Sequence, residues 1–205
     1  MIVMLDTPQD MTECSAQLGN IPVEQLFTPL TRRNAQQPNA HFAMDNGAFS
    51  RFNANGFRAM LNKHADRKAL CRWVAVPDVV ADARRTLEVF RHWSRQPELA
   101  DWPLAFVCQD GQEHLPIPWG RIEAVFIGGS TEWKLSAHAA ACVKAGKAMG
   151  KWVHIGRVNT PGRYDYFAAM GADSCDGTGL AQYENMRARI KNSLMQPKLN
   201  LDPIS

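Results

Sequence analysis

Gly171-Ala172-Asp173-Ser174-Cys175-Asp176-Gly177-Thr178-Gly179 is the stretch whose reading decides the fold. Ser174 to Asp176 reads as a short buried strand with a carboxylate at its C-terminal end. Gly177 and Gly179 follow at once, where the backbone can turn tightly and a ligand can come close. A carboxylate at a strand mouth suits a nucleophile or a general base. The same Asp176 could instead cap a helix starting near Ala181. Working outward, Arg163 to Met170 has helical spacing, and Trp152 to Ile155 before it reads as a strand ending in Gly156-Arg157. Strand, helix and strand in this order form a βαβ unit with a parallel pair.

The alternation continues through the chain. Strands are expected at Ile2–Leu5, Glu24–Thr28, His41–Met44, Arg72–Val76, Leu104–Cys108 and Ala124–Ile127. Helices are expected at Asp10–Leu18, Phe57–Leu70, Ala81–Trp93, Leu135–Met149 and Gln182–Leu194, with an irregular connection through Pro116, Pro118 and Trp119. In the Ala81–Trp93 helix, Ala83, Leu87 and Phe90 share a face, away from Arg84, Arg85 and Glu88. Eight candidate strands in one 205-residue chain favour a compact (β/α)8 barrel of the TIM type over an open sheet. Residues 1–195 form that single domain, and 196–205, with two prolines, form a surface tail.

Composition narrows the function classes. The chain is 45% hydrophobic and 21% charged, which is ordinary for a soluble globular protein. No apolar run is long enough to span a membrane, and Met1–Leu5 turns polar too soon for a signal peptide. Cys14, Cys71, Cys108, Cys142 and Cys175 are scattered without a CxxC pair or nearby histidines. This suggests a reducing compartment and argues against structural zinc. The net charge of +3 is compatible with a nucleic-acid partner without requiring one. No Gly-x-Gly-x-x-Gly or phosphate loop follows the first strand, so no nucleotide cofactor is expected.

The polar residues fall at strand ends. Asp45, Asp78, Gln109, the Gly128-Gly129 pair, Arg157 and Asp176 each come after an apolar strand, and in a barrel these ends converge on one mouth. There is no elbow motif for a Ser/His/Asp triad and no HExxH; three carboxylates and an amide remain. Carboxylates can attack an anomeric carbon and serve as the acid or base beside it. An Asp and a Gln beside glycine backbone can read the edge of a planar heterocycle. Glycosyl chemistry on a purine nucleoside fits this inventory.

Several segments resemble, in order, those of the tRNA-guanine transglycosylase superfamily. Asp45-Asn46-Gly47-Ala48-Phe49 is similar to its Asp-Ser-Gly-Gly-Phe, and Val107-Cys108-Gln109-Asp110-Gly111 to its Val-Gln-Gly strand end. Phe126-Ile127-Gly128-Gly129 resembles its Ile-Gly-Gly, and His154-Ile155-Gly156-Arg157-Val158-Asn159-Thr160-Pro161 the segment ending Gly-Val-Gly-Thr-Pro. Gly171 to Asp176 resembles the Gly-Ala-Asp-Met-Phe-Asp that carries the nucleophile. The resemblance implies that Asp176 attacks C1′ to form a covalent glycosyl-enzyme and that Asp45 is the general acid/base. It implies that Asp78, Gln109 and the Gly129 N–H recognise the purine, with Gly128, Gly156 and Arg157 completing the substrate-binding set. Phe49 lies near where the family stacks an aromatic ring on the base, and Glu132 near the incoming base.

The family's tRNA enzymes carry a Cys/Cys/Cys/His zinc site after the nucleophile strand. No Cys follows Asp176 here, so no metal and no zinc-binding subdomain are expected. This trimmed pattern is most similar to phage and bacterial relatives that exchange guanine in DNA for a 7-deazaguanine such as preQ0. The implied partners are DNA rather than tRNA and the deazapurine base, with a homodimer or accessory modification proteins also possible, in the cytoplasm of a bacterial or phage-infected cell. Arg51, Lys134, Arg157 and Arg163, shortly after strand ends, are the candidate phosphate contacts. The alternatives are a tRNA or nucleoside transglycosylase, an N-glycosidase, or a non-catalytic barrel that binds a deazapurine or nucleic acid.

Overall fold

The computed structural model describes residues 1–7, 9–31 and 39–195; the expected tail at 196–205 lies outside the described residues. The first half of the barrel runs β1 (Ile2–Leu5), α1 (Met11–Gln17), β2 (Val23–Phe27), β3 (Phe42–Met44), α2 (Ala54–Lys63), β4 (Cys71–Ala75), α3 (Ala83–Trp93) and β5 (Leu104–Cys108). The second half runs β6 (Ala124–Ile127), α4 (Thr131–Lys134), α5 (Ala137–Ala148), β7 (Trp152–Ile155), α6 (Pro161–Ala169), β8 (Ser174–Asp176), α7 (Thr178–Gln182) and α8 (Glu184–Met195). The strands pair in sequence order, all parallel, and β8 closes onto β1 through Val3 opposite Cys175. The chain is therefore a closed (β/α)8 barrel.

Helix ends follow the caps available in the sequence. Asp82 accepts the Arg85 N–H and starts α3 two residues later than the periodicity predicts, with Ala83, Leu87 and Phe90 buried as expected. Ser136 caps α5, so the expected Leu135–Met149 helix begins at Ala137, and a separate turn, α4, precedes it behind Ser130. The expected Phe57–Leu70 helix begins earlier, behind Asn53, and stops at Lys63. His64, stacked on Phe27 at 4.2 Å, marks the break, and a 3-10 stretch follows. The expected Gln182–Leu194 helix is two helices meeting at the extended Tyr183.

Side chains on a strand alternate between faces, and this parity positions the site. One face packs under the helices: Val3, Phe42, Val74, Phe106, Val125, Val153 and Cys175 belong to that outer core. The other face fills the barrel interior with Met4, Leu26, Ala43, Trp73, Ala75, Ala105, Val107, Ala124 and Phe126. Counting two residues on from Ala43, Val107, Phe126, His154 and Ser174 gives Asp45, Gln109, Gly128, Gly156 and Asp176. All five continue the inward-facing rows to the mouth. The β3–β4 register carries a bulge: Phe42 pairs with Cys71 but Met44 pairs with Val74. Bulges of this kind often lie beside active sites.

Candidate active site

Two adjoining cavities open at the C-terminal mouth of the barrel. The first, about 450 Å³ counting the open space at its mouth, is lined by Asp45, Asn46, Asp78, Gln109, Gly128, Gly129, Gly156, Arg157 and Asp176 with the apolar walls Phe49, Ala75, Val80, Val107 and Phe126. The second, about 830 Å³, is lined by Asp6, Thr28, Ser50, Thr178 and Gln182 beside Met4, Leu26, Leu30 and Ala181. Asp45, Phe49, Arg157 and Asp176 line both, so the two carboxylates lie at the junction.

Asp176 caps no helix. Gly177 is the residue before α7, and no side chain caps that helix. Gly177 is also not the tight turn expected there, since its φ of −175° is extended backbone. Glycine is needed for space instead, because a Cβ would lie 2.5 Å from the Val158 carbonyl oxygen. Asp176 Oδ1 accepts the Arg157 N–H at 2.8 Å and faces His154 Nε2 at 3.4 Å. Among the described residues Oδ2 has no hydrogen-bond partner, so one oxygen is anchored and the other is open to the cavity. Burial by itself pushes this carboxyl up. The His154 contact, the Arg157 N–H and the Lys134 ammonium outweigh burial and hold it below the usual carboxylate range.

Asp45 is the opposite case. Burial raises its carboxyl to about 7; the Gly47 N–H, at 3.0 Å from Oδ1, opposes this, and the nearby Asp176 and Asp78 add to it. The Asn46 N–H also approaches this carboxyl and opposes the rise, while Oδ2 receives none of the geometrically formed hydrogen bonds among the described residues. A carboxyl near 7 can give or take a proton at neutral pH while one held low stays ionised, so the pair has the chemical capacity to divide proton transfer and nucleophilic attack between them.

Asp78 differs from both, because both of its oxygens are engaged. Asn46 Nδ2 donates to Oδ1 at 2.8 Å and Gln109 Nε2 to Oδ2 at 2.6 Å. Burial raises its carboxyl, and these two amides oppose the rise. Gln109 is buried, and its Oε1 accepts the N–H groups of Ala81 at 2.9 Å and Gly129 at 2.8 Å. This corrects the expectation that the Gly129 N–H faces the purine, since it is committed to Gln109; Gln109 itself lines the first cavity and keeps a second Nε2–H beyond the one it gives to Asp78. A carboxylate keeps spare lone pairs when each oxygen has one donor, so Asp78 is the member of this network that can still accept from a ligand. Gly129 has φ +70°, and a Cβ there would lie 2.6 Å from the Trp133 ring, so glycine is required at this corner.

Three further expectations are corrected. Lys134 is not a phosphate contact: it is 4% exposed, its ammonium donates to the Gly156 carbonyl, and burial, with Arg157 nearby, lowers it to about 8. Arg157 is not a free surface cation either. Its guanidinium donates to the Gly129 carbonyl and lies 4.4 Å over the Phe49 ring, bridging the mouth from a left-handed backbone position. Glu132 is exposed and lines neither cavity. Of the remaining candidates, Arg51 is exposed beyond the Asp45 loop, and half-buried Arg163 lines a groove with Lys134 and Arg157. Phe49 is 64% exposed at the rim.

Two site residues escaped the sequence reading. Asn46, 1% exposed, donates to Asp78 and to the Val76 carbonyl, tying β3 to the loop after β4. His154, fully buried under Asp176, is flanked by Trp73 and Phe126 with ring centroids at 4.5 and 4.6 Å. Both lie in quoted motifs, and the inward parity of β7 would have pointed to His154. Among the described residues no group of three metal-ligating side chains lies together, and no helix is long and apolar enough to cross a membrane.

The fold and site thus define a (β/α)8 barrel with two carboxylates of opposite proton affinity at its mouth. Neither a protein-family model nor a curated protein matches the sequence. Among solved structures the chain is similar to phosphoribosyl anthranilate isomerase from Thermus thermophilus, at 10% identity and TM-score 0.46, covering 94% of this chain and 97% of that one. It is also similar to a cube-shaped, porous cage designed by fusing symmetric oligomeric domains, at 14% identity and TM-score 0.44, covering 94% and 69%. A third likeness is to the native KDPGal structure, at 14% identity and TM-score 0.38, covering 94% and 90%. The barrel assignment rests on the closed strand order itself.

Proposed function

We propose that this protein is a guanine transglycosylase acting on DNA, exchanging guanine for a 7-deazaguanine base of the preQ0 type. The observation that carries the reading is the pair Asp45 and Asp176. They share one cavity junction, each has an unpartnered oxygen, and one carboxyl is held low while the other is raised to about 7. In the proposed reaction Asp176 Oδ2 forms a bond to C1′ as the C1′–N bond breaks. The electron pair leaves on the base, which takes the proton of Asp45. The incoming deazapurine returns a proton to Asp45 and attacks C1′, and Asp176 departs as carboxylate.

The base is assigned to the first cavity, between the walls of Val107 and Phe126, with Asp78 accepting from its N–H edge. The sugar and its phosphates are assigned to the second, where Thr28, Ser50, Thr178 and Gln182 offer polar groups. Arg51 and Arg163 are the proposed phosphate contacts.

The test is exchange of labelled guanine into DNA, tRNA and free nucleoside side by side. Exchange into DNA is expected. Exchange confined to tRNA or nucleoside would move the substrate, release of base without exchange would mark an N-glycosidase, and deazapurine binding with no turnover would mark a binding barrel.

A further inference from the structure

A chain of polar groups runs inward from Asp176 through the otherwise apolar barrel. Trp152 Nε1 lies 2.8 Å from Ser174 Oγ, which lies 2.9 Å from His154 Nδ1, and His154 Nε2 lies 3.4 Å from Asp176 Oδ1. Ser174 and His154 are both fully buried, and among the described residues neither side chain has another hydrogen-bond partner.

The donor inventory orients this chain. An indole N–H can only donate, so Ser174 Oγ accepts from Trp152. The Ser174 hydroxyl proton then needs an acceptor, and the one within reach is His154 Nδ1. A bare Nδ1 makes Nε2 the protonated nitrogen, which donates to Asp176. The other tautomer would strand the buried Ser174 proton and aim a lone pair at a carboxylate, leaving two buried groups unsatisfied. A charged imidazolium would strand the serine proton as well.

We infer that His154, held neutral in its Nε2–H tautomer by the Trp152–Ser174 relay, is a positioning residue: it anchors Oδ1 of Asp176 so that the carboxylate stays ionised and presents Oδ2 to the substrate. The assignment rests on Asp176 being the nucleophile. The charged groups facing Asp176 from the packed elements are Arg157 after β7, Lys134 on α4, and Asp45 and Asp6, which line the cavity with it. Burial lowers His154 and outweighs the Asp176 carboxylate, which by itself favours the charged ring, in keeping with the neutral form that the hydrogen-bond directions require.

The test combines two readouts on the wild type and on His154→Phe, His154→Gln and Ser174→Ala. Nitrogen NMR of the wild-type ring reads the tautomer directly, and the Nε2–H form is expected through neutral pH; an Nδ1–H or charged ring would overturn the proposal. Carbon NMR of the Asp176 carboxyl and the pH profile of exchange read the consequence. Loss of a hydrogen bond to a charged group corresponds to about one to two pH units. The Asp176 titration and the acidic limb of exchange are therefore expected to move up by about that much in His154→Phe and less in Ser174→Ala. His154→Gln, whose amide restores a donor, is expected to stay near the wild type. An unmoved Asp176 titration in folded His154→Phe and Ser174→Ala would overturn the proposal, whatever the activity. A titration that moves in a protein that exchanges nothing would leave the relay standing and sink the transglycosylase reading instead.

Discussion

The two open carboxylates of the mouth are the same residue type at the ends of two strands of one barrel, yet their surroundings push them in opposite directions. At the end of β8, Asp176 meets the His154 imidazole, a backbone N–H and a nearby ammonium, and burial is outweighed. At the end of β3, Asp45 has one strong backbone donor and two carboxylates for neighbours, and burial wins. Burial is common to both, so the difference comes from what the adjacent strands donate: β7 brings His154 and Arg157 to one, while the loop after β4 brings Asp78 to the other. Desolvation raises both carboxyls, and whether the neighbours outweigh it decides the sign of the net shift.

The largest expected effect is at the low end of this comparison. In the proposed reaction Asp176→Asn removes the attacking oxygen, so exchange is expected to fall by more than about 10⁴-fold and no covalent adduct to survive denaturing electrophoresis. A folded Asp176→Asn protein that exchanges guanine at the native rate would break the assignment.

Next comes the high end. Asp45→Asn lowers turnover by about 10²–10⁴-fold, as expected for loss of a general acid/base, while purine binding measured by calorimetry persists. Stability gives an independent sign. Folding raises the Asp45 carboxyl, so its contribution is full below about pH 4 and is lost as pH climbs to about 7. Asp45→Asn escapes that loss, so its melting temperature relative to the wild type rises across this window and then levels off. Asp176 has the reverse sign: its depressed carboxyl contributes above the ordinary carboxylate pKa, a stability that is lost as pH falls. Asp176→Asn therefore lacks a stability the wild type has at neutral pH. Parallel melting curves for the two variants would collapse the contrast.

A smaller effect is expected at Asp78, where both oxygens already hold amide donors. Asp78→Asn sets a donor against the Asn46 and Gln109 amides and costs about 1–3 kcal/mol of stability in denaturant unfolding. Discrimination between guanine and adenine falls more than turnover. The smallest effects belong to the rim. As the proposed phosphate contacts, Arg51→Ala and Arg163→Ala are each expected to lower the salt dependence of DNA binding by about one in slope, against no change in slope for Glu132→Gln.

Much of this arrangement was legible in the sequence. The bounds of β1, β5, β6, β7 and β8 match their apolar runs, because Gly, Asp or Gln follows each run and period-two alternation survives even in four residues. Asp45, Asp78 and Asp176 were legible as strand-end carboxylates. Lys134 was misread because a lysine just past a strand end ordinarily faces water. The single turn α4, capped by Ser130, buries Lys134 together with Trp133 instead. Gln109 was recognised as a site residue, but its partners were not. Those come from Asp78, Ala81 and Gly129, on three different loops.

The sequence by itself determined the alternation of strands and helices, the inward parity of the strand ends and hence which residues reach the mouth, since each depends on neighbours a few positions apart. Only the tertiary structure decided which carboxyl is lowered and which raised, and that His154 lies under one of them. A carboxyl's proton affinity depends on donors and charges within a few ångströms. Barrel closure brings those from β7, α4 and the loop after β4, segments whose spacing along the chain carries no record of that proximity.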